Sequence, residues 1–229
     1  MKTIGLIGGL TWYSTAAYYQ LLNEMVNERL GGANAAKIIL NSVNFGEIKI
    51  LTDQQDWGAI SIIICKAAKS VEVAGADCIL IGANTMHKIA DEVQAAVKIP
   101  VLHIAHAVAR SIKTAGLKKV ALLGTKYTMQ LHFYKDILAQ NNIETITPSE
   151  TEMEYINHSI YNEFSKGIFL PETKSQYLNI MSQLIQQGAE GFILGCTEIP
   201  ILIKPADCSV PVFDTGLIHA TAAVDFALS

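Results

Sequence analysis

The hydrophobic positions of this chain fall in short, nearly unbroken runs, separated by longer stretches in which apolar residues return every three or four positions. Short continuous runs read as strands buried on both faces, and the three-to-four spacing reads as amphipathic helix. Strands are expected at residues 3–7, 37–43, 78–81 and 101–104 in the first half, and at 120–123, 143–146, 192–194 and 210–213 in the second. One helix is expected over residues 14–30, with Tyr18, Leu21, Leu22, Met25 and Val26 on one face and Gly31-Gly32 ending it. A second starts at Ser149, which precedes Glu152 in capping-box spacing, and is expected to run to Gly167. Strands alternating with helices predict an α/β fold, with parallel sheets wrapped by helices and functional loops at the carboxyl ends of the strands.

The pattern also repeats. Residues 75–84 align with residues 188–197, residues 3–9 with 119–125, and Ile99-Pro100-Val101 with Val210-Pro211-Val212, in order and at nearly constant offsets. Three ordered matches predict two similar three-layer lobes with parallel sheets and a ligand cleft between them. The first lobe is expected to comprise residues 1–104 plus 215–229, and the second residues 105–214. Equivalent loops then carry Gly82-Ala83-Asn84-Thr85-Met86-His87 and Gly195-Cys196-Thr197-Glu198.

Composition narrows the function classes. The chain has 229 residues, half of them hydrophobic and 17% charged, which excludes a disordered segment. Mean hydropathy is +0.29, but no apolar run reaches the roughly 18–20 residues that span a bilayer. The richest stretch, residues 59–68, contains Ser61 and Lys66. A net charge of −4 leaves no basic footprint for nucleic acid or anionic lipid. The N-terminal apolar patch is broken by Gly8-Gly9 and reads as a strand, not as a secretory signal. The expectation is a soluble cytoplasmic protein whose partner is a small molecule, neither nucleic acid nor membrane.

Cys65, Cys78, Cys196 and Cys208 include no C-x-x-C pair. Cys65 and Cys78 fall inside an expected helix and strand and read as buried thiols, and Cys208 reads as an incidental loop residue. Cys196 sits just past a buried strand. It reads either as an inert buried cysteine or as a thiolate whose pKa is lowered at the start of a short helix. His103, His106, His132, His158 and His219 lack the spacing of metal ligands, so no metal is expected.

Several motifs in order carry a resemblance: Ile7-Gly8-Gly9-Leu10-Thr11-Trp12, Asn84-Thr85-Met86-His87, Leu123-Gly124-Thr125, Ile160-Tyr161-Asn162-Glu163 with Lys166-Gly167, and Gly195-Cys196-Thr197-Glu198-Ile199. Over essentially its whole length the chain resembles the aspartate/glutamate racemase superfamily, on the amino-acid racemase branch near aspartate racemase. The resemblance implies racemisation of an acidic amino acid, aspartate and/or glutamate, without a cofactor. In the family two cysteines flank the substrate α-carbon, one as base and one as acid, and Cys196 matches the second of them. Ala83 stands where the family usually has the first, and a methyl group exchanges no proton. Either another donor, such as water or a hydroxyl, takes its place, or the position has been altered. Alternative readings are a single-cysteine decarboxylase of the arylmalonate type and an inactive amino-acid-binding relative.

The remaining candidates bind substrate. Asn84, Thr85 and Thr197 could hold the α-carboxylate, and Thr125 and Thr128 could do likewise, with helix capping as the other reading of each. Gly9 and Leu10 border the ligand, although a tight turn also explains the glycine. Lys166 matches the family lysine that reads the distal carboxylate, and it also reads as a helix-end lysine. His87 reads equally as structural or catalytic. The family further implies a homodimer.

Overall fold

The computed structural model describes residues 1–229, which divide into two compact units, Met1–His103 with His219–Ser229 and Ile104–Ile218. The first unit is built on a parallel sheet of β1 (Ile4–Gly8), β2 (Ile38–Ser42) and β3 (Cys78–Ile81), in the order β2-β1-β3. Its helices are α1 (Trp12–Leu30), α2 (Phe45–Asp53), α3 (Trp57–Val73) and α4 (Ala90–Ala96). In the second unit α5 (Ile104–Thr114) precedes β4 (Lys119–Gly124), α6 (Lys126–Gln130), α7 (His132–Gln140), β5 (Glu144–Ile146), α8 (Glu150–Asn162) and α9 (Pro171–Gln186). It continues through β6 (Phe192–Gly195), α10 (Ile199–Leu202) and β7 (Val212–Asp214), and its parallel sheet runs β5-β4-β6-β7. The last helix, α11 (Thr215–Leu228), begins in the second unit and passes into the first between Ile218 and His219, four residues beyond the position expected from sequence.

Each sheet is covered on both faces. Ile7, Ile79 and Ile81 pack with Ile60, Ile64 and Val71 of α3 on one side of the first sheet. Ile4, Leu6 and Leu80 pack with Tyr18 and Leu22 of α1 and with Ala220, Ala223 and Val224 of α11 on the other. The second sheet buries Leu123, Phe192 and Leu194 against α8 and α9, and Val120, Leu122 and Ile193 against α5 and α7. Burial on both faces explains why the central strands read as continuous apolar runs, whereas the edge strand β2 is only half-buried.

The repeat has a hydrogen-bonded basis. Asp77 accepts from the backbone N–H of Thr3, and Glu190 accepts from those of Lys118 and Lys119, so an acidic residue before β3 and β6 caps the start of each central strand. The N–H of Ile79 donates to Pro100, and that of Phe192 donates to Pro211, each at 2.9 Å.

Two expectations are corrected. Residues 101–104 form no strand: Val101 makes a single bridge to Ile79, its N–H is taken by the Gln94 side chain, and α5 starts at Ile104. The helix starting after Ser149 has the full capping box, but it ends at Asn162 and gives way to a 3-10 turn at Phe164–Lys166. There Glu163 leaves helical geometry (φ −115, ψ −69), and its carbonyl accepts from both Lys166 and Ile168.

Candidate active site

At the carboxyl end of β6 the chain turns through Gly195, where a Cβ would lie 2.8 Å from the Leu123 carbonyl oxygen. Cys196 follows, partly buried, and its thiol donates to Glu198 Oε2 at 2.9 Å. The Thr197 hydroxyl donates to the same oxygen at 2.8 Å. Burial pushes the Cys196 thiol well above its ordinary pKa, and the neighbouring Glu198 carboxylate pushes it further. Cys196 is therefore a protonated thiol at neutral pH, so of the two readings open from sequence the lowered thiolate is the one its burial opposes. The helix expected to lower it, α10, has only four residues and starts three positions later. Glu198, 5% exposed, was no site candidate from sequence. Two positions from the thiol it would share a face in extended chain but lie too far along it to touch. It reaches the sulfur because the backbone folds back, with Ile199 N–H donating to the Cys196 carbonyl. A thiol bonded to a carboxylate can hand over its proton and become a base without help from solvent.

Other second-unit candidates lie along the same strand ends. Thr125 follows β4, caps α6 through the Thr128 N–H, and shares a 3.1 Å hydroxyl contact with Thr128. Capping is thus one established duty of Thr125. Asp214 ends β7, pairs in register with Leu194, and caps α11 through the Leu217 N–H. Burial raises its carboxyl pKa. Lys166 is exposed at the end of the 3-10 turn, just before Gly167 at φ +74.

In the first unit, Gly9 follows β1 with φ +75, and a Cβ there would lie 2.0 Å from the Val43 carbonyl oxygen. Close packing against residue 43 is reason enough for a glycine. The Gly9 N–H donates to the buried Thr15 hydroxyl at 2.8 Å, while Leu10 is buried in the core beside α3. Beyond β3 come Ala83, half-buried, and Asn84 and Thr85, both buried. The carbonyls of Gly82 and Ala83 are both held by side chains: Ser14 Oγ donates to the first at 2.8 Å and His87 Nδ1 to the second at 2.9 Å. No group of three or more His, Cys, Asp or Glu side chains is placed to hold a metal ion, and no helix is long and apolar enough to cross a membrane.

A sequence model of the family described as Asp/Glu/Hydantoin racemase matches residues 7–223. The chain belongs to this family. Its fold, parallel sheets in two lobes, is that of solved Asp/Glu racemase structures. A crystal structure of a candidate Asp/Glu racemase from Yersinia pestis is 47% identical, with a TM-score of 0.94 and full coverage of both chains. That of an aspartate racemase homologue from Pyrococcus horikoshii is 38% identical, with a TM-score of 0.88 and again full coverage of both. The broad specificity amino-acid racemase RacX of Bacillus subtilis is 23% identical over 99% of this chain and 98% of its own length. The resemblance seen in the motifs is thus a family relationship that spans the chain, and it makes the protein an isomerase of the amino-acid racemase kind.

Proposed function

We propose that this racemase acts on an acidic amino acid, aspartate and/or glutamate, by proton exchange at the α-carbon through Cys196, with no cofactor and with Ala83 in the place of a partner cysteine. The observation that carries the reading is the 2.9 Å bond from the Cys196 thiol to Glu198, at the end of a central strand. On substrate binding the thiol passes its proton to Glu198. The resulting thiolate takes the α-hydrogen, and the same sulfur returns a proton to the carbanion. With alanine at 83, exchange then proceeds on one face, probed most simply on the L-enantiomer. The resemblance assigns Asn84, Thr85 and Thr197 to the α-carboxylate, adds Thr125, Thr128, Gly9 and Leu10 as substrate-binding residues, and gives the distal carboxylate to exposed Lys166. The resemblance also supports a cytoplasmic homodimer, which sedimentation would check.

Heavy water tests the chemistry. The unaltered protein should incorporate deuterium into one enantiomer of aspartate or glutamate with retention and little inversion. Ala83→Cys should raise two-way racemisation by about 10²–10⁴-fold, the usual contribution of a positioned acid or base. Rapid racemisation of both enantiomers by the unaltered protein, or exchange that survives Cys196→Ala, would overturn the scheme. The alanine at 83 also favours a second reading, decarboxylation of a malonate by one thiol. Carbon dioxide release without amino-acid exchange would select it.

A further inference from the structure

The first unit contains a group of three imidazoles, two of them buried (His87 and His219) and one half-buried (His103), beside the loop that carries Ala83. The His87 ring centroid lies 4.7 Å from that of His103 and 5.3 Å from that of His219, both edge-on. His219 comes from α11, and its Nδ1 lies 2.8 Å from the hydroxyl of Tyr18 on α1. Its Nε2 faces the Leu102 carbonyl, which can only accept. The proton of His219 therefore sits on Nε2, and Tyr18 donates to Nδ1.

The same reasoning places the His87 proton on the other nitrogen. The Ala83 carbonyl only accepts, so His87 Nδ1 must donate. Its Nε2 is buried with no hydrogen-bond partner, and an imidazolium would leave an N–H there with nothing to receive it. The ring is thus held neutral, as the Nδ1–H tautomer. Burial agrees, pushing its pKa well below 6.5, and the facing imidazoles of His103 and His219 add to the shift. These two rings are the titratable groups that face it, with Tyr18 beyond His219.

Two consecutive carbonyls, those of Gly82 and Ala83, are therefore tied from opposite sides in sequence: Ser14 on α1 holds one, and His87 in the following turn holds the other. Peptide planes fixed at both positions leave little freedom in the direction of the residue-83 side chain or in the N–H of Asn84.

We infer that His87 is a positioning residue: as a neutral Nδ1–H imidazole bonded to the Ala83 carbonyl, it sets the loop that receives the substrate carboxylate and aims any side chain at position 83. This inference rests on the substrate reading given above.

Two amide variants separate a positioning role from filling space. Asparagine places an amide N–H where Nδ1 lies, whereas glutamine places its polar atoms near Nε2. His87→Asn should keep aspartate or glutamate affinity close to that of the unaltered protein, while His87→Gln should weaken it by about tenfold or more, the scale of a modest misplacement. In the Ala83→Cys background, the Gln variant should lose most of the gained racemisation and the Asn variant should retain it. Folded variants with the same affinity and the same gain would overturn the inference. Nitrogen NMR of the histidine rings covers the case in which neither variant folds. The unaltered protein should show His87 protonated on Nδ1 and bare on Nε2 at pH 7, and an Nε2–H tautomer or an imidazolium there would overturn it. Failure of the unaltered protein to bind either acid would sink the substrate reading instead, because the NMR result tests the His87 bond without substrate.

Discussion

At the scale of the residue, the state of the Cys196 thiol is set by its burial and then by Glu198. Two donors, the Cys196 thiol and the Thr197 hydroxyl, converge on one oxygen of that carboxylate. Its charge adds to burial in holding the thiol protonated. Glu198→Gln keeps the size but removes both the charge and the ability to accept the thiol proton. Solvent exchange at the substrate α-carbon should fall by about 10²-fold or more, while binding of the amino acid changes little. Unchanged exchange in that variant would leave Glu198 as packing only. The sequence singled out Cys196 from its place after an apolar run, but a partner two residues away was invisible. In a strand, alternate side chains share a face but do not touch across 2.9 Å, and only the turn into α10 brings them together.

Individual elements divide into those set by local chemistry and those set by their neighbours. The Ser149 side chain accepts from the Glu152 N–H while Glu152 accepts from Ser149, as the spacing requires, and Ser149→Ala should destabilise by about 1 kcal/mol in urea unfolding. The turn after β1 depends on more. Gly9→Ala would need both φ +75 and a Cβ within 2.0 Å of the Val43 carbonyl oxygen, so a loss above about 2 kcal/mol is expected. Gly116 has a similar φ, +74, but open space around it, and Gly116→Ala should cost only about 1 kcal/mol. Equal losses at the two glycines would show that backbone conformation alone, not the approach of residue 43, governs this turn. The segment at 101–104 illustrates the opposite case. Its apolar run suits a strand, but Pro100 donates nothing, and a side chain, Gln94, takes the Val101 N–H.

For the whole molecule, the buried imidazoles tie folding to pH. Burial lowers His219 from 6.5 to about 4, and His87 shifts in the same direction. The unfolded chain binds a proton at 6.5 that the folded form refuses until about 4. The stability from His219 is thus fully present above 6.5 and is lost as pH falls toward 4. Such a shift corresponds to about 3 kcal/mol, visible as a falling urea midpoint between neutral pH and pH 4 and reduced in His219→Gln. A midpoint that stays level across that range would refute the neutral burial of these rings. Legible along the chain were the alternation of apolar runs and helices, the repeat that makes two lobes, the capping box, and the cysteine and alanine at equivalent strand ends. Each of these depends on spacing along one chain or on residue type, which a sequence displays directly. Only the tertiary structure decided that Cys196 is a thiol bonded to Glu198, that Gly9 is required by residue 43, and that His87, His103 and His219 meet beside position 83. Those facts arise between segments far apart in sequence or turned back on themselves, where burial and hydrogen-bond geometry, rather than spacing, determine what each group does.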